Sequence, residues 1–533
     1  MRYLAGLLVL SVLCASAALA DDEKAPHHHD ALNEAQVGTV NFSISCAAGV
    51  QKPFDRGVAL LHSFWYEEAE KEFVDIAKDD PHCAMAHWGI AMSLWHQLWN
   101  EPDAKVIARG LSEAKQAKKL KSTPREKAYI AAITAFYSHS SKLNHAARAK
   151  AYSEAMKKVY ESYPEDHEAA TFYALSLLAS DETLEHRKEA AAILEKLFVL
   201  EPDHPGVPHY LIHAYDTPEL AQLGIPAARR YAQIAPAAPH ALHMPSHIFA
   251  RVGLWQDDIN SNLASIAATR KTVAMGMGGE EHQFHAMDFL VYAYLQSGRE
   301  DEAEKIIEEV KAMPMTHDTY GVGVDMRVMA QTHFEASYAL ELHDWKQAAS
   351  LTAISDDPDY RSVTYLARAI GAARSGDIAG AQKDIEEVQS ISKSLREKNR
   401  KDEADFLDRQ IAEPQAWIDH AEGKDEEAIN LLKPLADKEK DGFSDTGYLP
   451  AHELFADLLM ETKRPQEALA EYQADLKLNP NRFNGLYGAA RAAEEAGKQN
   501  DAEEYYALLV KTCDGGSSTR PELSRAKQLL AEK

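Results

Sequence analysis

From about residue 50 onward the apolar positions of the chain recur with a helical period, and no stretch sustains the two-residue alternation of a strand. Short breaks interrupt the helices, and several carry the same device, a glycine followed five residues later by alanine. Gly298 and Ala303, Gly376 and Ala381, Gly423 and Ala428, and Gly497 and Ala502 all fit it. The glycine suits a turn that needs a left-handed residue between two antiparallel helices. The alanine lets the second helix approach the first closely. Asp80-Pro81, Glu201-Pro202 and Asn479-Pro480 end units, because a residue before proline is disfavoured in helix. Thr123-Pro124-Arg125-Glu126 reads as a capping box with proline at the first helical position. The expected fold is all-α, with about twelve helix pairs in series.

Ala468, Tyr472 and Pro480 precede Ala502 and Tyr506 at a spacing of 34 residues. On these residues the chain resembles the tetratricopeptide repeat superfamily, from about residue 50 to 515. That resemblance implies a helical repeat solenoid whose first helices line a concave groove. The segments Cys83 to His96 and Pro208 to Asp216 are similar to a group of exported bacterial tetratricopeptide proteins with a His-rich groove. This second resemblance implies fold and export and names no activity. The expected organisation is a signal peptide at 1–20, a disordered or irregular leader at 21–49, N-terminal repeats at 50–200, central repeats at 201–315 and C-terminal repeats at 316–533. Two long connectors, 270–281 and 312–325, suit either a mobile lid or a plain surface insertion.

Composition narrows the partners. A chain of 533 residues with a formal net charge of -26 disfavours nucleic acid and anionic membranes. It suits cations, peptides or small molecules. Arg2, the apolar run Leu4 to Cys14 and Ala18-Leu19-Ala20 before Asp21 read as an export signal. No later run is long enough for a transmembrane segment. The expected place is therefore periplasmic or secreted after cleavage. The mature start holds His27-His28-His29, which suits scavenged metal or chance. Cleavage leaves Cys46, Cys83 and Cys513, and Cys46 with Cys83 is the expected disulfide, against the alternative of three free thiols.

The chemistry sits in three stripes at helical spacing. They are His209, His213 and Asp216; His240, His243 and His247; and His282, His285 and Asp288. Positions i, i+3, i+4 and i+7 share one helix face. His209 and His213 precede His243 and His247 by 34 residues, so the pairs repeat with the architecture. Stacking would gather these nine residues as candidate ligands of a transition metal, zinc or copper first, since neutral imidazole and carboxylate suit both. Asp216 and Asp288 are candidate ligands or orienters of a ligand. Tyr210, Tyr215 and Tyr292 are candidate substrate hydroxyls, with His333 at the edge. Pro245 stands against a regular helix through His243 and His247, which requires a kink or a helix start near Met244.

Two function classes remain open at this point. One is a metal-binding protein, with a metal-dependent enzyme as its stronger form. The other is a scaffold that binds a peptide or partner protein in the groove without metal. Packing histidines are the plainer explanation of any single ring. The aromatic and methionine-rich block at His62 to Tyr66 and Cys83 to His96 reads as core. No His-Glu-x-x-His, Gly-x-Ser-x-Gly or P-loop motif occurs.

Overall fold

The computed structural model describes residues 32–98, 101–181, 183–277, 279–314, 325–440 and 449–532. The signal segment 1–20, the histidine run at 27–29 and most of the 312–325 connector lie outside the described residues. Within them the chain is helical and contains no strand. Seven helix pairs run to Ala312: Gln51–His62 with Tyr66–Asp79, Ala84–Ser93 with Ala104–Lys119, Pro124–Tyr137 with His145–Ser162, His167–Ser180 with Leu184–Leu200, Gly206–Tyr215 with Ala221–Ile234, the broken pair Pro239–His243 and Pro245–Arg251 with Trp255–Ala274, and Glu280–Gln296 with Glu300–Ala312. Five more run from Met326 to Thr512, with Lys401–Gln410 and Pro521–Ala531 as additions. Each packs on its neighbours, giving an all-α solenoid of stacked helix pairs.

The local rules read from the sequence operate as physical chemistry requires. Gly298, Gly376, Gly423 and Gly497 have φ between +68 and +83°, the left-handed turn that closes each first helix. Ala303, Ala381, Ala428 and Ala502 are fully buried at the helix crossings. Thr123 and Glu126 form the reciprocal capping box. The helices stop at Asp79, Leu200 and Leu478, two residues before each of the three prolines. Cys46 and Cys83 are joined by a disulfide with a Cα–Cα distance of 4.9 Å, and Cys513 is a buried free thiol.

The segment 32–49, expected as disordered or irregular, is packed, and it is irregular apart from the short helix Glu34–Val37 and the 3-10 turn that begins at Ala48. Val37, Val40 and Phe42 are buried, and the Arg125 guanidinium stands 4.4 Å above the Phe42 ring. Its apolar residues alternate without a helical period, so their burial was not legible from pattern. The 270–281 connector is also shorter than expected. Helix Trp255–Ala274 absorbs its first residues, Met277 is buried in the N-terminal core, and Gly279 caps the next helix at φ +92°.

The array does not run straight on. Its C-terminal repeats return onto the central ones: Trp255 Nε1 donates to Asn481 O at 2.9 Å, Phe483 N to Gln296 Oε1 at 2.9 Å, and Ser518 Oγ to Glu300 at 2.7 Å. Arg482 is the centre of this junction. It donates twice to Glu453, at 2.7 and 2.9 Å, and to Glu341 at 2.7 Å.

A buried carboxyl in the C-terminal half supplies a pH signature. Burial, followed by the nearby Glu439, pushes the Glu413 carboxyl up to about 8. The native state then holds a proton that the unfolded chain releases above its ordinary carboxylate pKa near 4.5, so this group removes stability as pH rises from there to about 8. Glu413→Gln is expected to gain stability relative to the parent across that window and to level off above it. Urea unfolding of both proteins at pH 5 to 9 measures this, and a difference that does not change with pH would contradict it.

Candidate metal centre

Helix Gly206–Tyr215 places His209 and His213 one turn apart, and their Nε2 atoms stand 3.2 Å from each other. His240 of the next unit brings its own Nε2 to 3.1 Å from His209 Nε2. In that unit the helix breaks at Met244, with Pro245 opening the second piece at its first turn, where a missing N–H costs nothing. The break keeps His243 and His247 facing one another, Nε2 to Nε2 at 3.1 Å. His285, from helix Glu280–Gln296, joins them, its ring 4.4 Å from that of His243. The result is two triads of imidazoles, His209, His213 and His240, then His243, His247 and His285, each with ligand atoms within 4.8 Å of one another.

Hydrogen bonds to the outer nitrogens decide what the inner ones offer. His209 Nδ1 lies 2.6 Å from the carbonyl of His62, which can only accept. His247 Nδ1 lies 2.9 Å from Asp216 Oδ2. Burial opposes ionisation of Asp216, but hydrogen bonds and charge from His247 and Arg251 outweigh it and hold the carboxyl well below its usual range. His243 Nδ1 lies 2.7 Å from Asn262 Oδ1, and the Asn262 amide is oriented by its Nδ2 donating to Asp258 at 2.7 Å. All three Nδ1 atoms are therefore donors. In the neutral ring this leaves Nε2 as a bare lone pair.

With both rings neutral, His243 and His247 present two lone pairs to each other at 3.1 Å. Such a pair is satisfied by a shared proton or by a metal ion, and carboxylate or amide groups behind ligating imidazoles are what metal centres use to fix ring and tautomer. Burial, then neighbouring imidazoles, lowers His209, His240 and His243 well below their ordinary value. It takes His213 and His282 to about 3. Neutral imidazole is the form that binds metal.

Each triad is wedged against one phenylalanine. Phe289 lies 4.6 to 5.3 Å from the rings of His243, His247 and His285. Phe64 lies 4.4 to 5.7 Å from those of His209, His213 and His240. Phe64 adopts φ 53° at the turn where other units place glycine. A bulky residue in that conformation costs about 1–2 kcal/mol, which its packing on three imidazoles and Tyr66 offsets.

The remaining candidates divide. His282 is buried with its ring 5.5 Å from that of His240, outside both triads. Asp216 orients His247 and also pairs with Arg251 at 2.8 Å. Asp288 belongs to neither triad. The tyrosines expected near a substrate are placed otherwise. Tyr210 is buried and its hydroxyl donates to His62 Nδ1 at 2.9 Å, while Tyr215 bonds Glu195. Tyr292 bonds Arg482 at 3.0 Å, because the returning C-terminal repeats cover that helix face. His333 lies beside Tyr360, its ring centroid 6.3 Å away.

A cluster that sequence reading missed lies beneath the first triad. Glu168, inside the otherwise apolar helix His167–Ser180, accepts from His62 Nε2 at 2.9 Å and from His204 Nε2 at 2.8 Å. His204 Nδ1 accepts from Gly206 N and His62 Nδ1 from Tyr210, so neither ring aims a lone pair at Glu168. The group is a satisfied buried network, and it fixes His62, whose carbonyl orients His209. Cys46, Cys83 and Asp80 also gather, but their sulfurs are consumed in the disulfide.

No family model and no curated protein matches the chain. Solved structures with which it aligns include human IFIT1 with m7Gppp-AAAA, at 12% identity over 84% of this chain and 94% of that one, TM-score 0.36. Ypp1 aligns at 10% identity over 86% and 81%, TM-score 0.45. The APC/C hetero-tetramer Cut9-Hcn1 aligns at 12% identity over 89% of each chain, TM-score 0.30. At these values nothing about a ligand transfers. The expectation of no nucleic acid rests on net charge alone. Among the described residues no helix is long and apolar enough to cross a membrane.

Proposed function

We propose that this chain is a helical repeat protein that binds a transition metal, zinc or copper first, through imidazole Nε2 atoms at the stacked turns of its central repeats. The observation that carries the reading is the pair of Nε2 atoms of His243 and His247, held face to face by Asn262 and Asp216 behind the two rings. A four-coordinate ion held by three imidazoles keeps one position for a further ligand, the layout of metal centres that bind and activate small molecules. The Cys46–Cys83 bridge suits an oxidising compartment, which supports the periplasmic or secreted location read from the first twenty residues.

The test is metal content of the untagged protein after loading with zinc or copper and removal of excess. The parent is expected to retain metal at whole-number stoichiometry, and a His209→Ala, His213→Ala variant to lose part of it while keeping its helical circular dichroism. A parent that retains none after loading would end the reading.

A second reading, an interaction scaffold for a peptide or partner protein, draws support from the repeat architecture itself. It predicts a partner whose binding is indifferent to the histidine substitutions and to chelator. Loss of such a partner on chelation would count against it.

A further inference from the structure

Six imidazoles in two sets raise the question of how many ions the cluster holds. The triads are adjacent. The rings of His213 and His247 are 6.5 Å apart and those of His240 and His243 6.3 Å, against 4.4 to 5.6 Å for ring pairs within a triad. Both sets run from buried to half-buried rings. His209, His240 and His243 are buried, whereas His213, His247 and His285 are half-buried, so both triads open where these three rings reach the surface.

We infer that the cluster is a dinuclear centre, one transition-metal ion per triad, and that its exogenous ligand is a small anion shared by the two ions. This rests on the metal-binding reading above and adds the number of ions and the class of ligand. Charge supplies the second half of the argument. Each triad is built of imidazole alone, and Asp216, the carboxylate behind His247, is already shared with Arg251. Two divalent ions would then bring four positive charges into a largely buried place with no carboxylate in either donor set. A buried charge of that size requires a counter-charge. An anion entering beside His213, His247 and His285 meets both ions and supplies it. Paired ions that clamp one ligand are a recurring solution for binding small oxygen-donor molecules.

The arrangement also assigns different backing to the two ions. The triad with His247 is supported by a carboxylate and an amide side chain, and the triad with His209 by a backbone carbonyl. A carboxylate behind an imidazole raises its basicity. The His243, His247 and His285 site therefore fills first.

The experiment uses the full untagged chain, stripped with chelator and reloaded with copper(II). The parent is expected to hold two copper ions, and His213→Ala and His285→Ala to hold one each. Electron paramagnetic resonance of the parent should show less signal than its copper content, or a spectrum broadened by coupling. Each single variant should show an uncoupled copper(II) signal of full intensity. Azide, the anion probe, should bind the parent at one per two copper ions. Both substituted rings are half-buried; should alanine disturb folding, seen by circular dichroism, His213→Gln and His285→Gln replace them. One copper per parent chain, two with uncoupled full-intensity signals, or one azide per copper would overturn the dinuclear inference and leave metal binding intact. No copper at all would overturn both.

Discussion

Replacing Arg482 by leucine is expected to destabilise the chain by about 3–5 kcal/mol, because breaking a buried ion pair leaves its partners charged or forces them to take up protons. Arg482 is 1% exposed and serves Glu453 with two donors, Glu341 with another, and the Tyr292 hydroxyl. Leucine supplies none of these. Its apolar volume recovers packing but leaves two buried carboxyls facing each other. Tyr292 lies on the helix that also carries His285, so the junction ties the C-terminal repeats to the candidate centre. The expected result has two parts: a lower urea midpoint, and metal retention that weakens more at His285 than at His209. A loss below about 1 kcal/mol, the range of an exposed pair, would contradict this role.

The second large effect belongs to Asp216. Asp216→Asn keeps shape but removes the charge behind His247, and it lets the amide present a donor where an acceptor is needed. The His247 ring then loses its fixed tautomer. Support of this kind is worth about 10–100-fold in metal affinity. Asp216 also holds Arg251, so unfolding must be measured beside binding. The expected outcome is weaker zinc binding by competition titration, with circular dichroism preserved and the same loss in Asp216→Ala. Unchanged affinity would show that Asp216 serves Arg251 alone.

The repeating turn was legible in sequence because it is a local demand. Gly376 and Ala381 state their own reasons, a left-handed turn and a close crossing, and both are met. His209 with His213 and His243 with His247 were legible for the same reason, since one helix turn brings each pair together. Their grouping was not. Assigning His240 to the first pair and His285 to the second depends on how far each unit rotates on the last, and no single segment encodes that. Glu168 left a trace that could have been followed, a carboxylate opening the run Glu-Ala-Ala-Thr-Phe-Tyr-Ala-Leu-Ser-Leu-Leu, where a buried charge demands partners. Those partners, His62 and His204, are distant in sequence. Tyr292 misled because it continues the stripe of His285 and Asp288, while the surface it meets belongs to residues near 482, brought there by the return of the array.

The central claim is that neutral imidazoles of stacked repeats bind metal, and X-ray absorption at the metal edge of the zinc- or copper-loaded parent tests it most directly. The account predicts a nitrogen-dominated shell at about 2.0–2.1 Å, about three imidazoles per ion by their outer-ring scattering, and loss of that signature in His243→Ala, His247→Ala. A shell dominated by sulfur or by carboxylate oxygen, or a spectrum unchanged by those substitutions, would contradict it.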